Sequence, residues 1–189
     1  METSTTNQLF SKDDLKKLII PLLFEQALAI TVGMADTVMI SSAGEAAVSG
    51  VSLIDMFNNL IISVLAALAT GGAVVTSQFL GAGKKEDACK SAKQLIVSSV
   101  CITIGISILV MVFCNGIISL FFGKIEADVF HNAVIYMMIS ALSFPFLALY
   151  NSCAALFRSM GNSQITLKVS VVENIINIGG NALGVYVLG

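Results

Sequence analysis

The sequence predicts an all-α integral membrane protein, a polytopic bundle of five transmembrane helices. Hydrophobic residues make up 56% of the 189 residues and charged residues only 12%, whereas soluble chains are about 25% charged. So few charges do not keep a water-facing globule dispersed, and disordered segments are poor in the apolar residues that dominate here. The apolar runs also lack alternation at period two, which argues against an outer-membrane barrel.

Five stretches are long enough to cross a bilayer as helices. A span needs about 20 mostly apolar residues, because a rise of about 1.5 Å per residue must cover about 30 Å of hydrocarbon. The predicted spans are about 18–40, 52–80, 95–121, 133–157 and 169–188. Their number is odd, and the last one reaches the end of the sequence.

The basic residues predict the orientation of the spans, because Lys and Arg are retained on the cytoplasmic side. Only Lys124 lies in a connection on the other side; the connections predicted for that side are about 41–50 and 123–132. We therefore expect a multi-pass membrane protein with a cytoplasmic N-terminus. The nine basic residues of the cytoplasmic side are Lys12, Lys16, Lys17, Lys84, Lys85, Lys90, Lys93, Arg158 and Lys168.

Ionisable residues within the spans are the first candidates for function, since each costs at least about 2.5 kcal/mol at the bilayer centre. Glu25 and Asp36 lie in the first span and Glu173 lies in the fifth. Glu25 and Asp36 are eleven residues apart, so they face one way about 16 Å apart along the axis. Asp55 lies near the outer end of the second span, where water is close, and it is given little weight.

The fifth span carries a polar stripe. Glu173, Asn177 and Asn181 repeat every fourth residue and share one side of the helix, with Asn174 beside them. Amides offer donors and carbonyl acceptors that serve a carboxylate, a water chain or a cation. The alternative is that they only bind helices together. We interpret Asp36 as functional and Asn174 as packing, while Glu25 fits either reading.

Other residues bear on movement and on chemistry. Pro21 and Pro145 each remove a backbone hydrogen bond, and Pro21 is the predicted hinge of the first helix. The single histidine, four cysteines without CxxC spacing and a glycine-rich turn that fails the Walker pattern predict no enzyme, no cofactor and no firm metal site. We also expect no nucleic-acid partner.

Several segments carry a family resemblance. The order and spacing of these segments across nearly all 189 residues resemble multidrug and toxic compound extrusion (MATE) transporters, most closely the DinF-like bacterial branch. The segments are 33–40 (GMADTVMI) with Pro21 before it, Gly44 with 46–52, 71–83, 157–163, and Asn177 with Ile178.

The resemblance implies a fold and an activity. Family members are twelve-helix antiporters with two six-helix lobes, which take up protons or sodium ions and export organic, often cationic, compounds. It implies that Asp36 couples to H+ or Na+, with a possible Na+ near it, and that Asn177 belongs to the same site. Asn181 stands where DinF-like members often have Asp, which leaves sodium or Asp36 alone for the coupling.

By that resemblance, residues 1–189 are an incomplete N-terminal lobe, located in the bacterial inner (plasma) membrane. Its expected partners are membrane lipid, a small organic substrate, and either the missing C-terminal lobe or a second copy. One alternative is a truncated remnant that does not transport. Another is a lipid-linked flippase of the same superfamily, although the absence of Lys and Arg within the predicted spans favours cationic or neutral cargo.

Overall fold

The computed structural model describes residues 12–184, and in them the chain forms five α-helices and no strand. The helices are α1 (Lys12–Ile40), α2 (Glu45–Gly81), α3 (Lys85–Phe122), α4 (Ala127–Ser159) and α5 (Ser163–Leu183), and a 3₁₀ turn, Ser41–Ala43, follows α1. The all-α helix bundle predicted from the sequence is therefore confirmed.

Four of these helices, α1 to α4, are long and apolar enough to cross a membrane. The described part of α5 is not among them, because its 21 residues include Glu173, Asn174, Asn177 and Asn181. Residues 185–188 of the predicted fifth span lie outside the described residues. The fifth crossing therefore stays a prediction.

The helices begin six to ten residues before the predicted spans do. Apolar runs mark only the part of a helix that meets hydrocarbon, whereas the backbone stays helical through the polar headgroup layer. The turns between helices are therefore shorter than the connections predicted between spans at 41–50 and 123–132, since α2 begins at Glu45 and α4 at Ala127. Each short turn contains a glycine with positive φ, a conformation that glycine adopts without a steric penalty; these are Gly44, Gly83, Gly123 and Gly161.

Three helices form the packed part of the molecule: α2 and α3 both lie against α4. Gly50 of α2 lies so close to α4 that a β-carbon there would be 3.0 Å from the Ala133 nitrogen and the Val129 oxygen. Such close approach is typical of small residues between membrane helices. The buried core of this bundle consists of Ile54, Val110, Cys114, Ile118, Ala133, Met137, Ala141 and Phe144.

The remaining two helices form a pair, because α1 packs chiefly against α5 and only slightly against α2. Pro21 and Pro145 both lie inside helices that continue past them. Within the described helices, φ and ψ leave the helical region at Phe113 of α3. The hinge assigned to Pro21 stays a prediction.

Candidate functional site

Two of the predicted site residues meet across the α1–α5 pair. The amide nitrogen of Asn181 donates to Asp36 Oδ1 at 2.7 Å and to Asn177 Oδ1 at 3.1 Å. One amide group thus holds both the carboxylate of α1 and the neighbouring amide of α5. The structure therefore brings together Asp36, Asn177 and Asn181, which the sequence predicts as one site.

A second polar group, which sequence reasoning missed, lies on the opposite helices α2 and α4. Tyr136 donates its hydroxyl to Asp55 Oδ1 at 2.9 Å, and Asn58 donates its amide to Ser140 Oγ at 3.1 Å. Asp55 was given little weight because it lies near a span end. Its partner Tyr136 is 81 residues away along the chain, so only the folded structure shows that Asp55 is held in place.

These two groups face each other across a cleft. One cavity of about 410 Å³ is lined by Asp36, Asn177, Asn181, Asp55 and Tyr136 among others. An adjoining cavity of about 560 Å³ shares Asp36, Asp55 and Tyr136 with the first and extends to Asn58, Ser140 and Asn174. No Lys or Arg lines either cavity among the described residues, so the cleft carries acidic charge alone.

Glu25 lies elsewhere. It is buried, and its Oε1 is 3.9 Å from Arg158 Nη1 and 3.5 Å from the hydroxyl of Tyr150. Both partners belong to α4, whereas Asp36 is held by α5. The structure therefore does not bring Glu25 and Asp36 into one cluster, although both lie on α1.

Arg158 lies just beyond the predicted end of the fourth span, at about residue 157. It occupies the last turn of α4, and its side chain is only 31% exposed beside Glu25. A long side chain of this kind buries its apolar stem while its charged group remains near an interface or a partner. One basic group thus contacts an acidic residue of the membrane helices, at a place separate from the cleft.

Glu173 and Asn174 are peripheral to the Asp36 cluster. Both line the cavity of about 560 Å³, but Glu173 is exposed. The Asn174 amide reaches Ser170 Oγ of its own helix at 3.5 Å. The structure thus places the predicted polar stripe of α5 along the cleft, and the Asn177–Asn181 end of that stripe makes the contact with α1.

The chemistry available in the cleft is that of oxygen ligands and hydrogen bonds. Carboxylates, amide carbonyls and hydroxyls bind hard cations such as alkali ions and also exchange protons. No group of three His, Cys, Asp or Glu side chains that could hold a metal ion occurs in residues 12–184. The arrangement suits a singly charged cation or a proton better than a transition metal.

Comparison with known proteins gives a family and two curated relatives. Residues 21–183 match the MatE family model. The chain is 31% identical over 166 residues to the uncharacterized transporter YisQ of Bacillus subtilis, and 25% identical over 172 residues to the probable multidrug resistance protein NorM of Thermotoga maritima. Each match covers 88% of this chain and 36% of the relative. The chain therefore spans about a third of the length of the curated relatives it matches.

Solved structures show the same arrangement of helices. A MOP superfamily transporter from Pyrococcus furiosus superposes with a TM-score of 0.86 at 21% identity. An outward-facing multidrug resistance MATE family transporter superposes with a TM-score of 0.85 at 20% identity. Each superposition covers 94% of this chain and 39% of the other. At these identities the likeness shows the fold, and assignment to the DinF-like branch stays a prediction.

The family match covers residues 21–183, which is most of the chain. The chain therefore belongs to the MatE family, the multidrug and toxic compound extrusion transporters.

Proposed function

We propose that this chain forms the first part of a secondary antiporter, five helices of an N-terminal lobe, which exports organic cationic or neutral compounds in exchange for H+ or Na+. The observation that carries the proposal is the Asp36 carboxylate, which lines the cleft and is held by Asn181 at 2.7 Å. An intramembrane carboxylate has a desolvation cost, and a transport role explains why it is retained.

The charge of the cleft supports the cargo class. Asp36 and Asp55 line both cavities, and no described Lys or Arg does. A cleft lined by acidic groups attracts cations and repels anions. An anionic lipid-linked cargo would meet carboxylates there, so the flippase reading has no support from these cavities.

Ion binding at Asp36 would act through the Asn181 contact. Asn181 donates to a carboxylate oxygen, and this bond is strongest while the carboxylate is charged. A proton or Na+ that binds at Asp36 neutralises the carboxylate and weakens its hydrogen bond with Asn181. Ion binding would therefore change how firmly α1 is held to α5. An ion that binds one arrangement of the pair better than another shifts the population between them, and Pro21 is the place on α1 where a bend is expected.

The setting of this transporter is proposed from the sequence. We place the chain in the bacterial inner membrane as a multi-pass protein, because it resembles a bacterial branch of the family. We give it a cytoplasmic N-terminus, because nine of its ten basic residues lie in segments predicted for one side. The polar side of α5 is largely exposed in the described structure. A C-terminal lobe or a second copy would cover this surface, since polar groups facing lipid are costly.

The test is ion-driven transport by the native gene product in proteoliposomes. Movement of a fluorescent organic cation such as ethidium is followed under an imposed proton gradient and, separately, an imposed sodium gradient. We expect one gradient to drive transport and Asp36→Asn to reduce it to the level of empty liposomes. Asp128→Asn is the matched control, because Asp128 is an exposed carboxylate in the first turn of α4.

Normal gradient-driven transport by Asp36→Asn would contradict the proposal, and Asp36 would then be a structural residue. The same variant must reach the membrane and remain monodisperse after purification, so that a loss of transport reports on coupling.

A further inference from the structure

The α2–α4 wall of the cleft contains a buried hydrogen-bond acceptor without a partner. Asn58 is 9% exposed, and its Oδ1 is buried with no hydrogen bond to the described residues. Its amide nitrogen is already used, since it donates to Ser140 Oγ. Leaving a buried polar atom unpaired is costly, so an unpaired carbonyl oxygen on a residue that lines the cavity points to a ligand.

Three other oxygen-bearing side chains, Asp55, Tyr136 and Ser140, line the same cavity as Asn58. Asp55 and Asn58 are three residues apart on α2, and Tyr136 and Ser140 are four apart on α4, so each pair lies on one side of its helix. Two hydrogen bonds, Tyr136 to Asp55 and Asn58 to Ser140, join the helices one turn apart. Asp55 uses Oδ1 for its bond, and its Oδ2 has no hydrogen bond among the described residues.

The chemistry of this set selects the ligand. The four side chains supply a carboxylate, an amide carbonyl, a phenol oxygen and a hydroxyl oxygen, all of which are ligands that hard cations prefer. The set carries one negative charge, which matches a single positive charge. Neither cavity has a described basic residue to bind an anion, and a divalent ion is usually balanced by more than one carboxylate.

We propose that Asp55, Asn58, Tyr136 and Ser140 form a second binding site, for a monovalent alkali cation such as Na+, on the α2–α4 wall. It is separate from the Asp36–Asn177–Asn181 group on the opposite helices. Binding at this site stands on its own geometry. Its use in driving transport rests on the antiport proposed above.

The experiment measures ²²Na+ binding to the purified native gene product in detergent. Asn58→Ala removes the unpaired acceptor, and Tyr136→Phe removes only one hydroxyl and keeps the ring. We expect each to weaken Na+ affinity at this site by at least about tenfold, the lower end of what loss of a group around a metal ion costs. Asn132→Ala is the control, because Asn132 bonds only to the backbone oxygen of Asp128 in its own helix.

Asp36→Asn separates the two proposals. If the α2–α4 site exists, Asp36→Asn should still bind Na+. Adding Tyr136→Phe to Asp36→Asn should weaken that binding. The inference is overturned if Asp36→Asn abolishes all Na+ binding while Asn58→Ala and Tyr136→Phe bind normally. It is also overturned if the unmutated protein binds no Na+, in which case a water molecule satisfies Asn58. Neither result decides the antiport proposal, which is tested separately by gradient-driven transport of the unmutated protein and of Asp36→Asn.

Discussion

The α2–α3–α4 bundle and the α1–α5 pair are held together by different contacts. The bundle buries a continuous apolar core in which Ile54, Ile118, Met137 and Phe144 are at most 1% exposed. The described part of α5 instead buries the hydroxyl residues Ser163, Thr166 and Ser170. Within the described residues, the side-chain hydrogen bond between α1 and α5 links Asn181 to Asp36.

This difference assigns a task to each region. Apolar side chains that interlock resist displacement, because the packed state has few alternatives of similar energy. Hydrogen bonds to a carboxylate change strength when a proton or an ion binds there. We therefore expect the bundle to act as a rigid support and the pair to respond to ions. The predictions below test this contrast, in order of decreasing effect on stability.

The largest loss is expected in the bundle core. Phe144→Ala removes a ring that is 1% exposed and should lower the free energy of unfolding by about 3 kcal/mol, through lost packing contacts and a cavity. Phe146→Ala, on the same helix but 72% exposed, should cost much less. Unfolding in mixed detergent micelles measures both. Equal losses would show that the bundle has no specific core.

A smaller loss is expected where α1 meets α4. Arg158→Met leaves the buried Glu25 carboxylate without its ion pair and should cost about 2 kcal/mol, below the range for fully buried pairs because the Arg158 side chain is 31% exposed. Adding Glu25→Gln should restore most of this loss. Unfolding of both single variants and the double variant gives the coupling free energy. Purely additive losses would mean that the 3.9 Å contact carries no energy.

The close approach of α2 and α4 predicts a loss of about 1 kcal/mol in Gly50→Ala. The added methyl group would lie 3.0 Å from backbone atoms of α4, which do not yield as side chains do. Gly105→Ala on α3 is the matched control, because nothing lies within 4 Å of a β-carbon there and alanine favours the helix. If Gly50→Ala is as stable as Gly105→Ala, the two helices are not in tight contact.

The smallest effect on stability is expected in the pair. Asn181→Leu removes the hydrogen bond to Asp36 and should cost about 0.6 kcal/mol, the average for such bonds between membrane helices. Ion-driven transport should nevertheless fall strongly, since Asp36 loses the group that positions it. The ratio of transport loss to stability loss is measured for Asn181→Leu and compared with the same ratio for Phe144→Ala. A pair that behaves like the core would show stability and transport falling together.

Much of the fold was predictable from the sequence because its signals are local. Apolar runs of about 20 residues predict where the helices lie. The segments around Asp36 and Asn177 resemble those of the family, and the match of residues 21–183 to the family model confirms that family. The helices begin before the predicted spans, because residues such as Glu86 and Asp87 are too polar for hydrocarbon yet favourable in the first turn of α3.

The site was predictable only in part because its contacts are distant in sequence. Asp36 and Asn181 stand out as polar residues in apolar surroundings, but their contact joins residues 145 positions apart. Asp55 was underrated, because its position near a span end conceals that Tyr136 of α4 holds it. Spacing shows which residues share one helix face, but it does not show which other helix that face meets.

The most direct test of the contrast is amide hydrogen exchange of the native gene product with and without the driving ion, followed by mass spectrometry. Segments 33–40 of α1 and 177–183 of α5 should exchange more slowly when the ion binds, and Asp36→Asn should abolish that change. Segment 110–118 of α3, which contributes Val110, Cys114 and Ile118 to the core, should be unaffected. An ion-dependent change confined to 110–118, with none in α1 or α5, would contradict the division between a rigid bundle and an ion-responsive pair.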